Sequence, residues 1–149
     1  MSQTISLRAT GRVLTALLVL LYTMSGCKVQ LVPEYSETLE TKVISSAMMS
    51  QKLYLEMLEV PESERNYGTF GPKYLEIQTE ISSIELEVEG LRANSEFLNM
   101  VQNLDQTIEK YKAEHKRKGT LKDAEIEVYR AQIKALWKPL YKAIKSTKQ

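Results

Sequence analysis

Apolar residues recur through most of this chain at alternating intervals of three and four, the period of a helix that buries one stripe. The clearest run is Tyr67, Phe70, Tyr74, Ile77, Ile81, Ile84, Val88 and Leu91. It predicts a helix packed at a shallow angle in a bundle or coiled coil. Gly71 and Pro72 place the start of the regular helix near Pro72, with Tyr67 and Phe70 packing from the preceding turn, and Gly90 lies near its end.

Three further runs share this period. Ser36 can cap a helix reaching about Glu59, with Leu39, Val43, Ala47, Tyr54 and Leu58 on its stripe and Ile44, Met48 and Leu55 widening it. Met49, Leu53 and Met57 fall partly off that stripe. They could form a partner groove or a membrane contact, but methionine more often fills irregular core, which is the expectation here. Asn94 or Ser95 can cap the next helix, whose seam is Phe97, Val101, Leu104, Ile108 and Tyr111, with His115 at the following seam position. A terminal histidine there reads as partly buried or as a C-terminal cation. Lys116, Arg117, Lys118 and Gly119 supply the cations and glycine of a helix C-terminus. Thr120, with Asp123 three residues on, resembles a capping box for a last helix with Ile126, Tyr129, Ile133, Leu136, Leu140 and Ala143 inward. Pro139 predicts a kink or break in that helix near Trp137, because proline removes a backbone donor. Pro61 to Pro72 is expected to be the least regular connection, and residues from Lys145 onward to fray. No strand-like alternation or hairpin turn interrupts the pattern. The fold class this predicts is all-α: an antiparallel up-down bundle of about four helices over residues 36–149.

The N-terminal segment follows another rule. Arg8 and Arg12 precede an uncharged run from Val13 to Met24, the form of a bacterial export signal. Twelve residues fall short of the roughly 20 needed to cross a bilayer as a helix. The run ends at Met24-Ser25-Gly26-Cys27, and Cys27 is the only cysteine in the chain. These four residues resemble the lipobox of bacterial lipoproteins, with Met24 where that family most often has leucine. The resemblance implies that residues 1–26 are a cleaved signal peptide. It also implies that the Cys27 thiol takes a diacylglycerol and that its new amino group takes an acyl chain such as palmitate. Two or three chains make such attachment effectively permanent, whereas one binds only marginally. Lys28 stands where an aspartate would retain a lipoprotein in the inner membrane, so the implied address is the outer membrane, facing the periplasm. Residues 27–35, containing Pro33, then read as the lipidated cysteine and an extended tether. Lys28 to Tyr35 reaches at most about 26 to 29 Å.

Composition sharpens this picture in two ways. With Cys27 committed to lipid no internal disulfide remains, so the domain must be held by packing alone. Charge is also unevenly distributed. Lys28 to Asp105 carries 6 basic and 14 acidic residues, whereas Gln106 to Gln149 carries 12 basic and 5 acidic. One reading lays an acidic face of the first two helices against a basic fourth helix. Another has Lys134, Lys138, Lys142 and Lys145 form a basic stripe that meets anionic headgroups, lipopolysaccharide or an acidic partner. No aromatics interleave with the stripe on its face, and export disfavours nucleic acid as a ligand.

Catalytic signatures are absent. The sequence has no HExxH, GxSxG, CxxC or phosphate-cradling glycine loop. Glu76, Glu80 and Glu87 are expected on the solvated outer face of their helix, where paired-carboxylate chemistry is not to be looked for. One histidine and no spare thiol leave little for a transition metal, and no cofactor is expected beyond the covalent lipid on Cys27. The expected function is therefore binding and not catalysis: a lipid-anchored envelope accessory, inhibitor or assembly partner whose protein partner the sequence does not name. The alternative is a structural tether or self-assembling coiled-coil lipoprotein linking outer membrane and cell wall. Lys148 near the C-terminus gives it a weak resemblance to the small major lipoproteins of Gram-negative bacteria.

Overall fold

The computed structural model describes residues 36–91 and 95–147. Among them are four α helices: α1 (Glu37–Leu58), α2 (Tyr67–Glu89), α3 (Ser95–Lys118) and α4 (Asp123–Ser146), with a 3-10 turn at Glu62–Glu64 between α1 and α2. The signal segment, Met24, Ser25, Gly26, Cys27, the tether, the Asn94 cap and Lys148 lie outside the described residues. Each helix packs on its neighbour in the chain, and α4 closes the ring against α1. Short links between consecutive helices make this an antiparallel up-down bundle, the predicted fold, with no strand among the described residues.

Each predicted seam lines the common core, with instructive exceptions. Phe70, Tyr74, Ile77, Ile81, Ile84 and Val88 of α2, and Phe97, Val101, Leu104, Ile108 and Tyr111 of α3, are buried as their spacing required. On α1 the predicted stripe is rotated. Leu39, Val43 and Tyr54 are buried as predicted and Leu53 and Met57 are core as expected, but Ile44, Met48 and Leu55, expected to widen the stripe, are 39%, 68% and 45% exposed. The rotation is possible because Ser46 and Ser50 occupy inward positions at 0% and 1% exposure. Their hydroxyls donate to the carbonyls of Lys42 and Ser46, both at 2.8 Å, so neither polar group is left without a partner. On α4, Trp137 and Ile144 are buried and Leu136 and Ala143 only partly so.

The element boundaries correct three further expectations. Helix α2 begins at Tyr67, not near Pro72, because Asn66 caps it: Oδ1 accepts from the Thr69 N–H at 2.9 Å. Pro72 is accommodated in the second turn. Thr120 does not cap α4. Leu121 is fully buried, so the chain dips into the core before Lys122 starts the helix, and the Glu125 carboxylate accepts from the Lys122 N–H at 3.0 Å. Pro139 does not break α4, which runs continuously to Ser146 with the proline on its exposed side.

The end of the bundle remote from the start of α1 is closed by two buried polar residues. Arg65 in the α1–α2 link is 5% exposed. It donates to the Val60 carbonyl at 2.9 Å and the Leu121 carbonyl at 3.3 Å, and it pairs with Asp123. His115, fully buried, donates through Nε2 to the Arg65 carbonyl at 2.7 Å. Gly119 ends α3 in the left-handed conformation (φ +83°), and its carbonyl accepts from the Tyr67 N–H at 3.2 Å. His115 is thus neither partly buried nor a C-terminal cation: burial lowers its pKa, against a smaller upward pull from the Arg65 carbonyl.

Candidate binding groove between α1 and α4

Rotation of α1 leaves apolar side chains outside the core, and α4 meets them with a second set. Val43, Ile44, Ala47 and Met48 of α1 face Trp137 and Tyr141 of α4 across a cleft of about 510 Å³, flanked by Lys134 and Lys138. A neighbouring depression continues along α1 past Gln51 and Leu55 to Glu59, sharing Ala47, Met48 and Lys134 with the first. The groove follows roughly sixteen residues of α1, or about 24 Å of helix.

Its floor is held in place from inside. Trp137 is 4% exposed, and its indole N–H donates to the Ser50 hydroxyl at 3.2 Å. Gln51 donates to the Arg130 carbonyl at 3.3 Å, a second tie between α1 and α4. The four lysines of the predicted stripe are divided between two environments. Lys134 and Lys138 flank the apolar floor and Lys142 is exposed beyond them. Lys145 instead meets the Glu40 carboxylate at 2.6 Å and lies 5.7 Å from the Tyr141 ring centre. One acidic-on-basic contact thus joins α1 to α4 at Glu40 and Lys145, and all four lysines of the predicted stripe are exposed.

The sequence pattern missed the apolar floor because Ile44, Met48 and Leu55 fit a widened core stripe. The available signal was that α1 has more apolar residues than one helical face can bury. An exposed methionine beside an exposed tyrosine and isoleucine gives an adaptable apolar surface. Lysines along its edge keep that surface hydrated and make the edge positive.

Other polar clusters are internal ties. Glu87, expected in solvent, accepts from Ser36 at 3.3 Å and pairs with Lys42 at 2.9 Å. Glu56 pairs with Lys73 across α1 and α2, and the hydrogen bond from Lys73 lowers its pKa. Burial raises the pKa of Asp105 on α3, which accepts from Gln78 of α2. Tyr111 and Tyr129 stack with ring centres 4.0 Å apart, and burial lifts the Tyr129 pKa to about 12. Among the described residues no group of three histidine, cysteine, aspartate or glutamate side chains is placed to hold a metal ion. No described helix is long and apolar enough to cross a membrane. Comparison with protein-family models, curated proteins and solved structures gives no match to this chain.

Proposed function

We propose that this chain is a lipid-anchored helical protein of the outer membrane, facing the periplasm, that acts by binding and not by catalysis. Its address rests on the export-like segment and the Met24-Ser25-Gly26-Cys27 sequence, with diacylglycerol on Cys27 as the anchor. The single observation that favours binding is the lysine-flanked apolar groove, in which Ile44, Met48, Leu55 and Tyr141 remain 39–68% exposed beside a completed core. Exposure of clustered apolar side chains is costly in water and marks an interaction surface.

A photo-cross-linking residue at Met48 in the full-length chain, expressed in its envelope, tests this reading. Attachment to a discrete protein, lost when Lys134 and Lys138 are reversed to glutamate, is the expected result. No product at Met48, or labelling no stronger than at an exposed control such as Glu62, removes the groove as a binding surface. Mass spectrometry of the extracted chain tests the anchor separately: an unmodified Cys27 overturns it.

A further inference from the structure

Helix α1 carries two seams. Leu39, Val43, Ser46, Ser50, Leu53 and Met57 step by four and three in alternation, and all are buried in the bundle. Ile44, Met48, Gln51 and Leu55 step by four, three and four, and all four line the groove beside α4. The first seam meets helices of this chain. A second seam of the same period on the same helix is the surface that another helix packs against at a shallow angle.

The floor selects for a helix as well. Val43 and Ala47 have no polar side-chain atom, the Trp137 N–H is engaged with Ser50, and the Gln51 amide donates to the Arg130 carbonyl. A segment laid on that floor must satisfy its own backbone groups, as a helix does and a single extended strand does not. The cleft is concave, with the nearly buried Trp137 at its base. A flat bilayer surface does not fill such a shape.

Charge gives the occupant its sign and its direction. From Val128 to Ser146 α4 has five cations and no acid. Arg130 pairs with Glu127 and Lys145 with Glu40, but among the described residues Lys134, Lys138 and Lys142 have no acidic partner. They stand four residues apart, steps of about 6 Å. Lys134 and Lys138 flank the half of the groove that holds Ile44 and Met48. At the Leu55 end Lys52 pairs with Glu56 at 3.7 Å and Glu59 is exposed. The uncompensated positive charge therefore lies at the Ile44 half.

We infer that the groove receives an amphipathic helix of a partner protein. Its apolar stripe lies against Ile44, Met48 and Leu55, and acidic side chains one turn apart meet Lys134 and Lys138. The inference rests on reading the groove as a binding surface and adds the form and charge of what binds there. Ile44 and Leu55 are eleven residues apart, about 16 Å along α1. A helix lying along that line covers it with about eleven residues, an extended segment with about five.

That difference in spacing provides the test. A photo-cross-linking residue is placed singly at Ile44 and at Leu55 of the full-length chain in its envelope, and fragment mass spectrometry locates each attachment site on the product. Both positions should reach one segment of one other protein, at sites about eleven residues apart. Two acidic residues four apart should lie beside the site reached from Ile44. Lys134→Glu combined with Lys138→Glu should abolish the product, and changing those two acids of the partner to lysine should restore it. Unchanged helical circular dichroism shows that the double variant folds. Sites about five residues apart, or a product indifferent to charge reversal, overturn the acidic helix and leave the groove reading in place. Attachment to lipid, to a second copy or to residues 28–35 of the same chain overturns the partner helix. If neither position labels more strongly than an exposed control at Glu62, the groove reading falls with it.

Discussion

Arg65 and His115 show how two polar residues can be kept inside a core that has no disulfide. The guanidinium satisfies carbonyls from two links of the bundle, and the imidazole satisfies the carbonyl of Arg65 itself. Removing Arg65 leaves the Val60 and Leu121 carbonyls without that donor, so Arg65→Ala should cost about 3 kcal/mol in denaturant unfolding. Its partner Asp123 has a side chain 76% exposed, and Asp123→Asn should cost under about 1 kcal/mol. The chain has one histidine, and its burial makes it a source of pH dependence in the mildly acidic range. Because burial depresses the folded pKa of His115 from 6.5, the neutral ring is favoured by folding. Its full contribution is present above about pH 6.5. As the pH falls below that, the unfolded chain takes up a proton that the folded chain refuses, so stability falls by at most about 1.4 kcal/mol per pH unit. Depressed carboxylates such as Glu56, Glu109 and Glu125 add their own losses only below about pH 4.5. Urea midpoints between pH 7.5 and 5 should drop for the wild type and stay level for His115→Gln.

At the scale of elements, helix existence and inward faces were legible from spacing alone wherever the seam was purely apolar, as in α2 and α3. Legibility failed where a polar residue did the work of an apolar one. Ser46 and Ser50 cover their own oxygens by bonding back along α1, so an inward face looked like a gap and the exposed Ile44, Met48 and Leu55 looked like core. The start of α2 was misread for a related reason: Gly71 and Pro72 resemble a boundary, but the Asn66 cap lies one turn earlier. The same residues yield contrasting predictions. Ser50→Ala leaves the buried Trp137 N–H without its acceptor and should cost about 1 to 2 kcal/mol. Among the described residues no side chain donates to Ser46, so Ser46→Ala should be within about 0.5 kcal/mol of neutral. Pro139 sits on the exposed side of a continuous helix. Pro139→Ala should restore a backbone donor and raise stability by about 1 to 3 kcal/mol, read as a higher thermal midpoint.

Taken whole, the molecule on the proposed reading separates its address from its fold. The groove was only half visible in sequence, because lysine spacing reveals one edge of it and the rotation of α1 decides the floor. The export-like segment and the Met24-Ser25-Gly26-Cys27 sequence, by contrast, carry the proposed address as a linear pattern that is read without folded context. Among the described residues the core begins at the first turn of α1: Leu39 is 1% exposed, and Ser36 caps α1 by accepting from the Leu39 N–H at 3.1 Å. On the proposed reading the N-terminal segment serves as address and residues 36–147 as fold, so anchoring and folding should respond to different substitutions. Cys27→Ser should move the chain out of the lipidated membrane fraction while leaving its helical circular dichroism and thermal midpoint unchanged. Leu53→Ala, deep in the core, should do the reverse: it should lower stability by about 2 to 5 kcal/mol while the chain remains membrane-bound. Measuring fractionation and melting on the same two variants checks both halves. If Cys27→Ser melted lower than the wild type, the tether would be part of the fold, and the bundle could no longer be described as cargo independent of its anchor.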